Sequence, residues 1–172
     1  MGLRFHPTRG SHLPLLMKAV AETDGPILEL GCGLYSTNPL HWACFVPKRK
    51  LVTYENNPKF FDFLKQYQTD FHEVRCIDDW DAIDFSGPWS VAFIDHEPGP
   101  RRGMELGRLA HAEYVVAHDT EGRSDRKYHY RERHHLYKYQ YEFKDAFPHA
   151  SIFSNFHDVT DFLGIKARSC KT

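Results

Sequence analysis

Residues 26–37 read Pro-Ile-Leu-Glu-Leu-Gly-Cys-Gly-Leu-Tyr-Ser-Thr, and this stretch decides the fold. It predicts a short apolar strand, a turn at Gly31 and Gly33, and then a helix. Glycines let the backbone approach a bound molecule closely, and the first amide groups of a helix have no partner within it. Glu29 adds a carboxylate at the strand end, which suits a ligand that carries an ammonium group. The stretch therefore predicts a small-ligand cradle, and the alternative is a tight turn that binds nothing.

The length and composition of the chain limit its class. Its 172 residues suffice for a single domain over residues 1–172 and leave little for a second core. The formal net charge of −1 does not favour nucleic acid or a membrane surface as a partner. No segment approaches the roughly 18 apolar residues that a membrane-spanning helix needs. The 4 cysteines form no C-x-x-C pair, which indicates reduced thiols and a cytoplasmic protein.

Strand and helix signals alternate over residues 12–119. We predict strands over residues 27–30, 51–55, 73–77, 90–95 and 113–119. We predict helices over residues 12–23 with Ser11 as cap, over 37–45, from Pro58 onward, and near 103–111. Parallel strands need crossover connections, so this alternation predicts a parallel sheet with helices on both faces.

The remainder of the chain is less regular. Residues 150–154 and 161–166 are predicted to be two further strands that form an antiparallel pair at the sheet edge. Residues 123–143 are basic and aromatic. Alternating aromatic residues from Tyr137 to Phe143 favour a strand there, whereas the position after the fifth strand favours a helix. Both alternatives stay open for this segment.

Acidic residues end several of the predicted strands. They are Glu29, Glu55, Asp78, Asp95 and Asp119. Ligands of open parallel sheets bind at the carboxyl ends of the strands, so these acids are predicted to gather along one cleft. The alternative for any single acid is that a strand end is simply a solvated position.

The combination of Glu29-x-Gly31-x-Gly33, acids ending the next two strands and the final strand pair resembles the class I S-adenosylmethionine-dependent methyltransferases. The resemblance covers most of the chain. It implies an α/β fold, a Rossmann-like three-layer sandwich whose mostly parallel seven-stranded sheet has an antiparallel edge strand. A dinucleotide-binding protein is the alternative, because G-x-G-x-x-G occurs at the same place, but here Ser36 stands at the third glycine position.

The resemblance also assigns the cofactor-binding residues. It implies that Gly31 and Gly33 pack against the methionine part of S-adenosylmethionine and that Glu55 accepts hydrogen bonds from both ribose hydroxyls. It further implies that Asp78 and Trp80 contact the adenine. A carboxylate suits the ribose, because each charge-assisted hydrogen bond contributes roughly 1.5 to 3 kcal/mol before desolvation is counted.

A narrower resemblance concerns Asp95 and Asp119 at the ends of the fourth and fifth strands. At these positions the chain resembles catechol-type and small sugar or antibiotic O-methyltransferases, in which acids at these strand ends hold a divalent cation. It implies that Asp95 and Asp119 bind Mg²⁺, which prefers oxygen ligands. The chain departs from the catechol-type pattern, because Thr120 stands where an asparagine commonly follows the second acid.

His96 and His118 adjoin these acids and are predicted to act in catalysis with them. A neutral imidazole takes a proton or binds a metal near pH 7, and the alternative for either histidine is a structural hydrogen bond. The segment 120–147 is predicted to be a substrate cap inserted in the domain, or else a solvated surface helix.

The sequence thus predicts an S-adenosylmethionine-dependent methyltransferase that acts on a small molecule, on an oxygen atom, by in-line transfer. Two alternatives belong to other classes. One is a non-catalytic S-adenosylmethionine-binding or interaction domain of the same fold. The other is a nucleic-acid binder or modifier, against which the near-neutral charge and the lack of an Asn/Asp-Pro-Pro-aromatic motif count. A homo-oligomer in which a second subunit completes the pocket is a further expectation.

Overall fold

A computed structural model describes residues 7–164, which contain seven strands and five α-helices. The strands are β1 (Ile27–Leu30), β2 (Leu51–Glu55), β3 (His72–Cys76), β4 (Val91–Ile94), β5 (Tyr114–His118), β6 (Tyr139–Phe143) and β7 (Ala150–Ser154). The helices are α1 (Leu13–Ala21), α2 (Thr37–Phe45), α3 (Pro58–Leu64), α4 (Arg101–Arg108) and α5 (Asp125–Tyr128). Short 3₁₀ turns cover Pro7–Gly10, Lys65–Tyr67, Trp80–Ala82 and Tyr130–Leu136.

The strands form one sheet in the order β3-β2-β1-β4-β5-β7-β6. The first five strands along the chain are mutually parallel, because helices or long loops connect them. Strand β7 inserts between β5 and β6 and runs antiparallel to both. The predicted α/β, Rossmann-like three-layer fold with a mostly parallel seven-stranded sheet is confirmed, and its antiparallel strand lies one position in from the edge.

Two apolar layers cover the sheet, one on each face. Successive side chains of a strand point to opposite faces, so in β1 Ile27 packs with α1 and α2, whereas Leu28 and Leu30 pack on the α4 side. Both faces are buried, which explains why the central strands are almost continuously apolar. In the central strands β1, β2, β4 and β5 the charged residues lie near or just beyond the carboxyl end, where the site forms.

The sequence located all five parallel strands to within two residues. The predicted cap at Ser11 is wrong, because α1 begins after His12 without a side-chain cap and the Ser11 hydroxyl bonds His118 instead. The partner of β7 is also corrected. It is β6 and not 161–166: residues 161–163 form a turn, and 165–166 lie outside the described residues.

The basic segment 123–143 contains both of the structures left open. Its first part forms α5 and the 3₁₀ turn, and the alternating tyrosines after it form β6. Of the described cysteines, Cys32, Cys44 and Cys76 are free thiols. Among residues 7–164 we find no helix with the length and apolar character needed to cross a membrane.

Candidate functional site

A cavity of about 820 Å³ opens at the carboxyl ends of β1, β2, β4 and β5. Residues that follow these strands form much of its wall, with further side chains from α4, α5 and the segment before α1. Its lining includes residues 32–36, 55–58, 95–97 and 118–119 together with Arg9, His12, Arg102 and Tyr128. A volume of this order is typical of sites for small ligands.

The glycine turn after β1 serves two purposes. Gly31 has a φ of +86°, and a Cβ there would lie 2.7 Å from both the Asp95 carbonyl oxygen and His96 Cα. Gly31 therefore packs the end of β1 against the end of β4, and it does not line the cavity. Gly33 does line it, and its amide is already paired, because it donates to Thr37 Oγ1 at 3.0 Å.

Glu29 lies beneath this turn and not in the cavity wall. Its carboxylate accepts hydrogen bonds from the Thr37 hydroxyl at 2.9 and 3.0 Å and from the Thr53 hydroxyl at 2.6 Å. Complete burial raises the pKa of Glu29 to about 7, although these hydroxyl bonds oppose the rise. Glu29 thus supports the turn through Thr37, and the predicted direct contact with a ligand ammonium is not part of this geometry.

The buried polar chain continues from Thr53 to two histidines. Thr53 Oγ1 lies 2.9 Å from His72 Nε2, and His72 Nδ1 lies 3.0 Å from His41 Nδ1. Burial, with the neighbouring His41, lowers the pKa of His72 to about 3, so the ring is neutral at pH 7. The chain links β1, β2, β3 and α2 below the site.

Glu55, at the end of β2, lines the cavity beside the glycine turn. Its Oε2 accepts the amide hydrogen of Cys32 at 2.9 Å, and its Oε1 accepts that of Asn57 at 2.7 Å. An ionised carboxylate has about four acceptor positions, so each oxygen keeps capacity for one more donor. The side chain is held rigidly with acceptor capacity toward a ligand.

Asp95 and Asp119 meet across the ends of β4 and β5, as predicted. Between them lies the Arg102 guanidinium, whose Nη1 is 2.9 Å from Asp95 Oδ1 and 3.0 Å from Asp119 Oδ2. Burial alone would raise the pKa of Asp95, but Arg102 and then His118 bring it well below its ordinary value. Asp119 adopts a left-handed φ of 59°, which turns the chain sharply after β5.

His118 is fixed from both sides. Its Nδ1 lies 3.4 Å from Asp95 Oδ1 and 3.6 Å from Asp119 Oδ1, while Ser11 Oγ lies 3.1 Å from its Nε2. Burial would lower the pKa of His118, but the two carboxylates raise it above its ordinary value. Since both ring nitrogens face protein groups, His118 orients the acids and is poorly placed to take a proton from a substrate.

Other buried polar atoms in this wall lack partners. They are Asn56 Oδ1 and His96 Nε2. Burial lowers the pKa of His12 and of His96 to about 4 in each case, so both rings are neutral at pH 7. A buried polar atom without a hydrogen bond costs about 1–3 kcal/mol, so any side-chain movement that gave these atoms a partner would be favourable.

Solved structures of low sequence identity share this architecture. An O-methyltransferase from Bacillus cereus, solved with SAH, gives a TM-score of 0.62 at 18% identity, over 88% of this chain and 82% of its own. TomG, the O-methyltransferase from Streptomyces achromogenes involved in tomaymycin synthesis, was solved with SAM. It gives a TM-score of 0.60 at 18% identity, over 90% of this chain and 82% of its own. The N-terminal domain of human METTL16, solved with SAH, gives a TM-score of 0.60 at 12% identity, over 91% of this chain and 73% of its own.

The chain has the class I methyltransferase fold. No protein-family model and no curated protein sequence matches it. In this fold the cavity at the ends of β1 and β2 occupies the position that the sequence assigned to the cofactor. The neighbours include both O-methyltransferases and the METTL16 domain, so the class I methyltransferase fold does not by itself decide the methyl acceptor.

The two residues predicted to contact adenine lie apart from the cavity lining. Asp78 is exposed, and Trp80 is buried with its indole N–H donating to the Glu97 carbonyl at 3.0 Å. The Trp80 ring stacks on His96 with a centroid separation of 4.0 Å. Trp80 therefore supports a cavity residue from behind, while Asn56 and Phe60 line the cavity near Glu55.

The segment 120–147 reaches the cavity through its first helix. Tyr128 lines the cavity, and its ring lies 4.4 Å from the Arg102 guanidinium carbon. Tyr130 donates its hydroxyl to the His118 carbonyl at 3.0 Å, and Tyr137 donates to the Leu106 carbonyl at 2.7 Å. Both hydroxyls anchor the segment to β5 and α4, whereas Arg131 is exposed and Arg133 half-buried.

Sequence reasoning missed His12, Asn56 and Arg102. His12 precedes α1 and Arg102 lies in α4, far along the chain from the glycine motif. Asn56 directly follows Glu55, and this adjacency was the one local signal that pointed to it. Arg102 carried a weaker signal, because an arginine at the start of the helix after β4 lies near the carboxyl end of that strand.

Proposed function

We propose that the chain is an S-adenosylmethionine-dependent methyltransferase that methylates an oxygen atom of a small molecule. The observation that carries the proposal is Glu55, which lines the cavity beside the glycine turn and keeps acceptor capacity on both carboxylate oxygens. A nucleoside joined to an amino acid offers hydroxyl, amine and carboxylate groups to such a wall. The class I fold of the chain supports this cofactor without deciding it.

The chain's own residues bind the cofactor in the following way. Glu55 accepts the ribose hydroxyls with the acceptor positions that Cys32 and Asn57 leave open. Asn56 Oδ1 accepts the adenine amine and thereby takes the role that the sequence gave to Asp78. Gly33 packs against the methionine part, and Arg9, which also lines the cavity, attracts its carboxylate.

The methyl acceptor binds at the ends of β4 and β5. When bound, S-adenosylmethionine would supply a methyl group on a sulfonium sulfur to an acceptor oxygen held there. His96 takes the acceptor proton at Nε2, because its ring is neutral and this nitrogen has no other partner. The ring is only 1% exposed, so this role requires it to turn toward the acceptor. Asp95, Asp119 and His118 orient the acceptor in line with the methyl group.

Calorimetry with S-adenosylmethionine, followed by measurement of S-adenosylhomocysteine release with phenolic, sugar and nucleoside acceptors, tests the proposal. We expect binding, and turnover with a phenolic or sugar acceptor that His96→Asn lowers by at least about tenfold while cofactor affinity stays unchanged. His111→Asn is the matched control, because His111 is exposed and remote from the cavity. Binding without turnover on any acceptor would favour the non-catalytic alternative, and methylation of nitrogen atoms alone would contradict the assigned acceptor.

A further inference from the structure

We infer that Arg102 takes the place of the divalent cation at Asp95 and Asp119, so that this site works without a metal. Asp95 and Asp119 correspond to the acids that hold a cation in the catechol-type enzymes that the sequence resembles. Where it touches catalysis it rests on the proposed function. Arg102 is a positioning residue in this account, because it acts through the two carboxylates.

The position of the guanidinium is the first argument. Asp95, His118 and Asp119 each offer one ligand atom within 4.8 Å of the others, which is close enough to surround an ion. However, Arg102 Nη1 already makes hydrogen-bonded ion pairs with both acids, at 2.9 and 3.0 Å. An ion that bound both of these oxygens at the roughly 2.1 Å typical of Mg²⁺ would compete with that nitrogen for their lone pairs.

The anchoring of Arg102 is the second argument. Its Nε donates to the His96 carbonyl at 2.6 Å, its guanidinium lies over the Tyr128 ring, and the residue is only 4% exposed. These contacts hold the side chain in place at the edge of the cavity. A metal would have to expel a buried cation that is bound on three sides, and the expelled guanidinium would lose charge-assisted hydrogen bonds.

The charge balance is the third argument. The two carboxylates contribute −2, Arg102 contributes +1, and His118 faces both acids with Nδ1. A second cation with two charges would place a net positive charge in a half-buried site. A guanidinium supplies the positive charge permanently, because it does not deprotonate in proteins.

The test uses Mn²⁺ alone as the probe, and electron paramagnetic resonance measures the concentration of the free ion. Wild-type protein is expected to leave the free Mn²⁺ signal unchanged at millimolar ion. Arg102→Met removes the charge while keeping an apolar stem, and we expect it to bind Mn²⁺ at least about tenfold more tightly than the wild type, since two carboxylates then lose their counter-charge. Arg102→Lys keeps a cation and is expected to remain close to the wild type.

The inference would be overturned if the wild type bound Mn²⁺ stoichiometrically and Asp95→Asn abolished that binding. This measurement does not depend on the folding of an Arg102 variant. Turnover that a chelator abolishes and Mn²⁺ restores would overturn it as well. The titration uses neither cofactor nor acceptor. A failure of S-adenosylmethionine to bind would therefore defeat the proposed function while leaving the assignment of Arg102 to be decided by Mn²⁺ alone.

Discussion

The Glu55 carboxylate accepts the Cys32 amide hydrogen at 2.9 Å and so ties the end of β2 to the turn after β1. The two sequence features that defined the candidate cofactor site, the glycine turn and the second acid, therefore form one rigid unit. Because Glu55 also lines the cavity, a ligand that touches the turn lies within reach of this carboxylate. Residues that support this unit and residues that contact a ligand are therefore expected to respond differently to substitution.

The two glycines of the turn are expected to respond differently to alanine. Gly31→Ala places a methyl group 2.7 Å from backbone atoms at a φ of +86°, so the free energy of unfolding should fall by at least about 2 kcal/mol. Gly33→Ala meets only Ser36 Oγ at 3.9 Å and should fold normally. Urea unfolding checks the stabilities. Equal stability of the two variants would contradict the packing role of Gly31.

Calorimetry on the folded Gly33→Ala variant completes this comparison. The added methyl group narrows the cavity at the place where the methionine part is proposed to bind. The affinity for the cofactor should therefore fall by about tenfold or more. Unchanged affinity would place the ligand elsewhere in the cavity.

Thr37→Val is expected to destabilise the turn. The substitution keeps the shape of the side chain but removes the hydroxyl that joins the Gly33 amide to the buried Glu29 carboxylate. Both groups then lose a partner, and the free energy of unfolding should fall by about 1–3 kcal/mol. Thr160→Val is the control, since the Thr160 hydroxyl bonds only Asp158 at the surface. A loss no larger than that of the control would refute the supporting role of Glu29.

The parallel sheet was predictable, because short apolar strands that alternate with helices leave few other arrangements. The cavity-facing histidine before α1 was not, since His12 gains its meaning only where α1 packs beside β4 and β5. Ser11 was misread for the same reason. The sequence does not distinguish a serine that caps the next helix from one whose hydroxyl bonds His118, 107 residues further along the chain. Strand ends are local properties, whereas partners such as Arg102 arise from tertiary contacts.

Stability is expected to fall as the pH drops from about 6.5 toward 4. His12, His72 and His96 have folded pKa values of about 4, 3 and 4 against an ordinary 6.5, so the unfolded chain binds up to three more protons in this window. Glu29 acts in the opposite sense: with a folded pKa of about 7 it binds one proton more when folded, at pH values between about 4.5 and 7. The histidines outweigh it, at about 1.4 kcal/mol per pH unit for each net proton.

Urea unfolding at pH 7.5, 6.5 and 5.5 measures this dependence. His72→Gln should reduce the slope, because it removes one of the three histidines while keeping a hydrogen-bonding side chain near Thr53. A free energy of unfolding that rises between pH 6.5 and 5.5 would show that the histidines are not held neutral in the folded state.

Titration calorimetry of S-adenosylmethionine into wild type, Glu55→Gln and the control Glu73→Gln measures whether the Glu55 carboxylate holds the cofactor beside the glycine turn. Glu73 lies on β3, away from the cavity, and pairs with Arg75. We expect the wild type and the control to bind alike, and Glu55→Gln to bind at least about tenfold more weakly, because an amide cannot accept all the bonds of the carboxylate. Equal binding by all three proteins, or none by the wild type at millimolar cofactor, would contradict the account.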